Sequence, residues 1–508
     1  MCGFFISNNS DLNESHFSLI EERLRFRGPD YSSGVIRFNG WNLYHSRLSI
    51  IDIDDASSNQ PMHGSFGGVI VFNGEILNYK ELSEKYFDGN HKSDTRLLID
   101  LVEHGYLDLN ELDGFFAFCY IDKAGELKHC AKDKFGVKPL FVYSSGSSIS
   151  ISSEPTVLKE LFDLDVSSRA LEEYKCFRAP IFSGSYFENI VNVEPGSCLV
   201  TGKYFSIESH VNDHYEQVST SDIQRVLKES ISLRCVSDAP VGLLLSKGID
   251  SNLIASLADF DSYFSIGFKN DEDVEYLLSQ NIPNLDVKLC TNEEYKEAFE
   301  YLLALRGEPL SVPNEVLLYL ISKRAAQKGI KVLLSGEGAD EFFGGYDRVF
   351  TWANRADKFD LDDFVNLYCY DEIEKDGEIY NKLRDIFSSV SEYSVFEQVR
   401  WFFIKYHLPV LFRRLDFSLM AAGVEGREPL ANFRVFELAM KLAPSELMRE
   451  DGLGKIPLRK CISHYKGEQF AYDKKVGFPV DLKKVFPENN AKTSYDIWFN
   501  ENTRFLTK

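Results

Sequence analysis

The hydrophobic rhythm of this chain changes once, and the change divides it. Roughly the first 200 residues carry short apolar runs, such as Gly67-Gly68-Val69-Ile70-Val71-Phe72, Phe115-Phe116-Ala117-Phe118-Cys119-Tyr120-Ile121 and Leu140-Phe141-Val142-Tyr143. Asn73-Gly74, Asp113-Gly114 and Pro195-Gly196 stand between them as turn signals. The pattern predicts an α+β region of stacked antiparallel sheets with some helix. One helix is expected over residues 93–103, with Ser93 or Asp94 at its N-cap. A polar stretch around residues 201–222 reads as the linker. Beyond it, residues 239–245, 263–267 and 330–334 are continuous apolar runs, the composition of strands covered on both faces of a parallel sheet. Helical stretches lie between and after these runs, and from about residue 350 the chain reads as mostly helical. A chain of 508 residues is too long for one ordinary core, so two domains are expected, over 1–205 and 206–508.

The net charge of −22 argues against a nucleic-acid partner, whose affinity would come from Lys and Arg on phosphates. No run approaches the roughly 18 apolar residues of a membrane-spanning helix, and no membrane partner is expected. The opening Met1-Cys2-Gly3-Phe4-Phe5-Ile6-Ser7-Asn8 lacks the basic region and cleavage site of a secretory signal. Nine cysteines without a CxxC pair fit neither a disulfide framework nor a zinc set, and a reducing cytoplasm is expected. His210 and His214 read as exposed loop histidines, because no third ligand stands near them in sequence.

Cys2 follows the initiator Met. Removal of that Met leaves a thiol and an α-amine, of pKa about 7.7–8.0, on one residue, and the amine can serve as base for the thiol. Asn73-Gly74 can aim a side-chain amide and a backbone N–H at one oxyanion. Arg47 can grip a carboxylate bidentately and Asp94 can take an ammonium group. Singly, each of these is a turn residue or a solvated charge. Together they describe glutamine hydrolysis through a thioester.

These residues sit in an ordered series: Met1-Cys2-Gly3, Arg27-Gly28-Pro29-Asp30, His45-Ser46-Arg47-Leu48, Gln60-Pro61, Asn73-Gly74-Glu75-Ile76, Asp113-Gly114-Phe115-Phe116-Ala117-Phe118 and Asp133-Lys134-Phe135-Gly136-Val137-Lys138-Pro139-Leu140. The series resembles the class II glutamine amidotransferase domain, of N-terminal nucleophile type. The resemblance implies Cys2 as nucleophile, Asn73 and Gly74 as oxyanion hole, and Arg47, Leu48, Ile51, Asn73, Glu75 and Asp94 as the glutamine-binding set.

In the second half, the apolar run ending at Leu245 enters Ser246-Lys247-Gly248-Ile249-Asp250-Ser251 and then a helix. Strand, loop and helix N-terminus in that order aim backbone N–H groups at an anion. The chain has no GxxxxGK[ST], and Gly336-Glu337-Gly338 does not continue into a dinucleotide fingerprint. The loop resembles the SGGxDS signature of synthetases that split ATP into AMP and pyrophosphate. Ser335-Gly336-Glu337-Gly338-Ala339-Asp340-Glu341, Gly344-Gly345-Tyr346, Glu425-Gly426-Arg427-Glu428-Pro429-Leu430 and Gly454-Lys455-Ile456-Pro457-Leu458-Arg459 extend the resemblance to the asparagine synthetase B family over nearly the whole chain. That family implies an ATP site of Leu245, Ser246, Gly248, Asp250, Ser251, Ile266, Ser335 and Gly336, with Mg2+ on Asp250 and Asp340. It implies Glu337 as the group that deprotonates ammonia, and Lys455 as the cation that meets charge when ammonia attacks. It also implies an enclosed route for ammonia between the sites, and relatives are commonly homodimers.

Three departures from the family pattern stand out. Lys247 replaces a glycine of SGGxDS, at a cost of about 1–2 kcal/mol if that glycine's backbone is left-handed. Phe417 stands where an Arg is usual, and Ala431-Asn432 where Leu-Asp is usual, both in the acceptor half of the site. The expected reaction is glutamine-dependent, ATP-driven amidation of a carboxylate through an acyl-adenylate, with aspartate the favoured acceptor. The alternatives are another carboxylate, such as a uronic acid of bacterial surface polysaccharide, or a glutaminase whose synthetase half only binds ligand.

Overall fold

The computed structural model of the chain describes residues 2–53, 55–473 and 480–506. In the N-terminal half, side-chain alternation builds two antiparallel sheets back to back. Cys2–Ser7 is central in the first sheet, between Trp41–Arg47 and Ser148–Ser152. Val69–Ile76 and Gly114–Ile121 are central in the second, with Leu127–Lys132 beyond them. Phe4, Ile6, Leu43, Val69, Val71, Ala117 and Cys119 fill the space between the sheets. Their strand neighbours face the other way, as the period of two requires. Phe5 and Tyr44 pack with residues of the helices Glu14–Leu24 and Pro155–Leu161. Ile70, Phe72, Phe116 and Phe118 pack with residues of Tyr79–Tyr86 and Asp94–Glu103. The result is a helix–sheet–sheet–helix sandwich.

The C-terminal half holds a five-stranded parallel sheet in the order Leu285–Cys290, Ser262–Phe268, Val241–Leu244, Val332–Leu334, Glu425–Arg427. One face carries Phe264 and Leu333 against Ile321, Leu415 and Leu419. The other carries Leu243 and Leu334 in a core with Ile231, Leu253 and Ile254. From Val241–Leu244 the chain builds two strands outward on one side, then returns to add Val332–Leu334 on the other. The strand order therefore reverses between these two strands, where open α/β sheets keep their ligand sites.

Several expectations change. Asn73-Gly74 is not a turn: Val69–Ile76 runs through it, paired with Gly114–Ile121. Gly74 has φ +142°, and a Cβ there would collide with the Phe115 carbonyl, so the glycine permits close strand pairing. The 201–222 stretch is no loose tether. Phe205, Ile207 and Val211 are buried in the C-terminal core, and Glu208 pairs with Lys405. His210 is not an exposed loop residue either, since its ring lies 5.3 Å from both Phe205 and Phe436. The region after residue 350 is mainly helical, but Glu425–Arg427 is a strand. The expected helix over 93–103 is present as Asp94–Glu103, with Ser93 Oγ accepting from Arg96 N at 3.4 Å.

Candidate active sites

Strand pairing sets the first site. Cys2 lies opposite Arg47, and its backbone is held at both ends. Its N donates to Asn73 Oδ1 at 3.0 Å, and its O accepts from Arg27 Nε at 3.1 Å. Cys2 is 7 % exposed, and burial pushes its thiol pKa up. Asn73 Nδ2 is buried with no hydrogen-bond partner among the described residues, a donor left for an incoming oxygen. Cys2, Arg47, Leu48, Ile51, Gly74, Glu75 and Asp94 line one cavity of about 30 Å3. The structure thus brings together the residues that the sequence scattered over 93 positions, with Asn73 joined to them through Cys2 N.

Electrostatics in this cavity are tight. Arg47 donates to Ile51 O at 3.0 Å, Asp52 O at 2.8 Å and Asn59 Oδ1 at 3.0 Å. Asp94 accepts from Ile76 N at 3.0 Å and Thr95 N at 2.6 Å, yet burial raises its pKa. Burial, with Asp94 and Glu425 nearby, drives Glu75 well above the usual carboxylate range. His45, on the strand beside Cys2 and opposite Phe4, is pushed down to about 3 by burial and is neutral.

The second site lies at the sheet's reversal point. The helix Ile249–Leu257 starts at Gly248 and carries Asp250 and Ser251 in its first turn. Ser246 N donates to Ser251 Oγ at 3.2 Å, and Asn252 Nδ2 donates to Ser246 O at 2.9 Å and Gly248 O at 2.8 Å. Lys247 has no left-handed backbone, so the cost anticipated for it does not arise. Its Nζ lies 3.6 Å from Asp473 Oδ2. Lys455 Nζ reaches Asp250 Oδ2 at 2.8 Å and Asp340 Oδ1 at 2.7 Å. Burial would lower the Lys455 pKa, but the two carboxylates reverse this and raise it. Leu245 continues the apolar strand and Ile266 lies in the next one. Ser335 N donates to Arg427 O at 2.9 Å, and a Cβ on Gly336 would press on Asp250.

The family model described as Asparagine synthase matches residues 222–504, and that described as Glutamine amidotransferase domain matches residues 1–210. The chain belongs to the asparagine synthase family. The asparagine synthetase (glutamine-hydrolyzing) 1 of Bacillus subtilis (strain 168) is 28% identical over 95% of this chain and 87% of that one. The asparagine synthetase (glutamine-hydrolyzing) 3 of the same organism is 25% identical over 90% of this chain and 83% of that one. A putative asparagine synthetase (glutamine-hydrolyzing) of Mycobacterium bovis is 32% identical over 64% of this chain and 55% of that one. Like its family, this chain is a carbon–nitrogen ligase with glutamine as nitrogen donor, and it drives amidation with ATP. Among the described residues no helix is long and apolar enough to cross a membrane.

Within this asparagine synthase fold the geometry adds residues that sequence reasoning missed. Arg414 Nη2 bonds Glu337 Oε1 at 2.9 Å. The Tyr346 hydroxyl donates to Glu341, whose pKa burial and Asp340 push up to about 8. Gln60 Oε1 accepts from Phe72 N at 2.6 Å and lines the Cys2 cavity with Ser58 and Thr95. Gln60, Glu341 and Tyr346 carried a signal, as parts of the motifs at 60–61, 335–341 and 344–346. Asn432 Nδ2 donates to Asp113 Oδ1 of the N-terminal half at 3.0 Å. Ala431 stays beside the second loop, where a Cβ on Gly338 would meet its own Cβ at 2.7 Å.

Proposed function

We propose that residues 1–205 release ammonia from glutamine and that residues 206–508 use ATP to place it on aspartate, giving asparagine. The observation that carries this reading is Lys455 bridging Asp250 and Asp340 at the mouth of the parallel sheet. Two loops from different strands are thereby held together around a buried cation, an arrangement suited to a polyanion.

In this reading the Cys2 thiol, relieved of its proton by its own α-amine once Met1 is removed, attacks the glutamine amide carbon. Asn73 and Gly74 take the oxyanion, Arg47 the substrate carboxylate, and Asp94 with Glu75 its ammonium. The proton held by the α-amine passes to the nitrogen of the tetrahedral adduct, which collapses to a thioester and releases ammonia; water then cleaves the thioester, leaving glutamate. In the other half the acceptor carboxylate attacks the α-phosphorus of ATP, and pyrophosphate leaves over Ser246, Gly248 and Ser251. Leu245, Ile266, Ser335 and Gly336 hold the nucleoside. Ammonia adds to the acyl carbon of the adenylate, Glu337 takes the surplus proton, Lys455 meets the charge on the intermediate, and AMP departs. The donor set suits Mg2+. Asp250 Oδ1 is buried without a partner among the described residues, and Mg2+ commonly takes one or two carboxylates with the rest of its shell from phosphates and water. Asp250 and Asp340 would hold the ion, which would neutralise the leaving pyrophosphate. Nine free thiols suit a cytoplasmic setting.

A second reading keeps the chemistry and changes the acceptor. Phe417 is fully buried, with the Arg306 guanidinium 5.0 Å from its ring, so this position lacks the cation that the family usually places there. That favours a carboxylate other than aspartate, for which a uronic acid is the candidate. Pyrophosphate release with glutamine, ATP and Mg2+, with and without aspartate, tests both. Aspartate-dependent release with asparagine as product supports the first reading. Glutamate formation without aspartate-dependent release sinks it and calls for sugar carboxylates.

A further inference from the structure

A cavity of about 410 Å3 lies on the seam between the halves, and its lining shares no residue with the Cys2 cavity or with the loops at 246–251 and 335–341. The volume falls in the range of small-molecule sites. Phe135, Phe141 and Phe205 of the N-terminal half and Ile404 and Tyr406 of the C-terminal half give it apolar walls. Ile404 and Tyr406 belong to a π-helical stretch, Phe403–His407, a distortion frequent at functional sites.

Its charge runs against that of the chain. Seven Lys or Arg line it against three Glu, in a protein of net charge −22. Most of these cations are already paired: Arg413 with Glu154 and Glu308, Lys405 with Glu208. Lys132 is different. It is 3 % exposed, and its Nζ donates to Asn192 Oδ1 at 2.8 Å but pairs with no carboxylate among the described residues. The adjacent Asp133 carboxylate is spent on the backbone N–H groups of Phe116, Phe135, Val137 and Lys138. Asp416, the next acid felt by Lys132, is spent on Arg27 and Lys138. Burial lowers Lys132 to about 8, which leaves the ammonium form well populated at neutral pH. An ammonium has three donors, so two of those on Lys132 have no protein acceptor among the described residues, beside a cavity with aromatic walls. Such a cation is costly to bury unless an anion joins it.

We propose that this seam cavity binds a small monocarboxylic acid with an aromatic or branched apolar body, its carboxylate on Lys132 and its body against the aromatic walls. Because both halves supply the walls, the ligand touches both at once.

The test is isothermal titration of the full-length protein with phenylacetate and with its neutral isostere phenylacetamide. Phenylacetate should bind at least about tenfold more tightly, the worth of one buried charged hydrogen bond. Lys132→Met should erase that preference. Val410→Trp, which fills the cavity and leaves Lys132 in place, should abolish binding of both compounds and guards against a Lys132 variant that fails to fold. Binding should persist with saturating glutamine and Mg-ATP. Equal affinity for acid and amide, no binding of either by the wild-type protein, undiminished binding in Val410→Trp, or displacement by glutamine or Mg-ATP would each overturn the proposal.

Discussion

Glu75 and Arg427 face each other across the seam, with Glu75 Oε1 3.8 Å from Arg427 Nη2. Glu75 lines the Cys2 cavity, while the Arg427 carbonyl accepts from Ser335 N, the first residue of the second loop. One fully buried arginine therefore touches both sites through different atoms. It also pairs with Glu425 and donates to Arg234 O at 2.8 Å and Val236 O at 2.6 Å. Arg427→Met should cost about 3–5 kcal/mol, because it strands Glu75 and Glu425 without their cation. Arg427→Lys should fall between, keeping the charge but losing the fork. Urea unfolding midpoints measure this, and a loss under about 1 kcal/mol for the Met variant would contradict the assignment.

Glu428 gives the stability a pH dependence. It is 3 % exposed, and burial raises its pKa to about 8, with Asp416 and Glu337 adding to the rise against Lys138. The native state thus holds this proton over a window, from about 4.5 to about 8, in which the unfolded chain has released it. Stability from this group is greatest at the acid end and falls as pH rises through the window. His45, lowered to about 3, slopes the other way below about 6.5, so the readout is a difference between proteins. Glu428→Gln should gain on the wild type by a few kcal/mol, on the order of magnitude, between about pH 5 and pH 8. Parallel curves for the two proteins would rule the shift out.

The legible part of this molecule was what local pattern encodes. Short apolar runs separated by turn signals gave the sandwich, continuous runs gave three of the five parallel strands, and Ser93 announced its helix. The rest lies in residues whose meaning is set by distant partners. Glu425–Arg427 is a strand of two buried charges around a glycine, so its hydrophobicity says nothing of sheet. Leu285–Cys290 alternates instead of running apolar, since Asp286 is met by Arg324 and Lys328. Asn73-Gly74 looks like a hairpin turn until Gly114–Ile121 is seen paired through it. Arg414 has no local signature at all, and only the helix Leu408–Met420 packing beside the second loop brings it to Glu337.

Phe417 tests whether the family's usual arginine can be restored. The ring is fully buried, 5.8 Å from Phe26, with Arg306 and Arg413 5.0 Å and 5.6 Å from its centroid. Both arginines already share Glu308. Phe417→Arg would place a third cation there without a new anion, at a cost of several kcal/mol, about 3–5 by analogy with stranded buried charges. Phe417→Leu should cost less, about 1–3 kcal/mol from lost volume and aromatic contact. Thermal melts of the two variants decide it. An arginine variant as stable as the wild type would show that the site has spare negative charge.

Lys455 separates stability from activity. It sits in left-handed backbone, φ +59°, at the start of the helix Ile456–Lys466, a conformation that costs a non-glycine residue about 1–2 kcal/mol. The surroundings enforce it: a Cβ on Gly345 would strike both Asp340 and the Lys455 side chain. The strain is kept because only this placement sets one ammonium between Asp250 and Asp340. Lys455→Met and Lys455→Gly both remove the ammonium, so both should lower pyrophosphate release by about 10²–10³-fold. Glycine also relieves the backbone, so Lys455→Gly should be the more stable of the two by about 1 kcal/mol. Urea midpoints and pyrophosphate assays on the same preparations read both quantities. A methionine variant at least as stable as the glycine variant would mean the backbone there is unstrained. Near-normal release from either variant would mean that the carboxylates do not need Lys455 to hold the two loops for turnover.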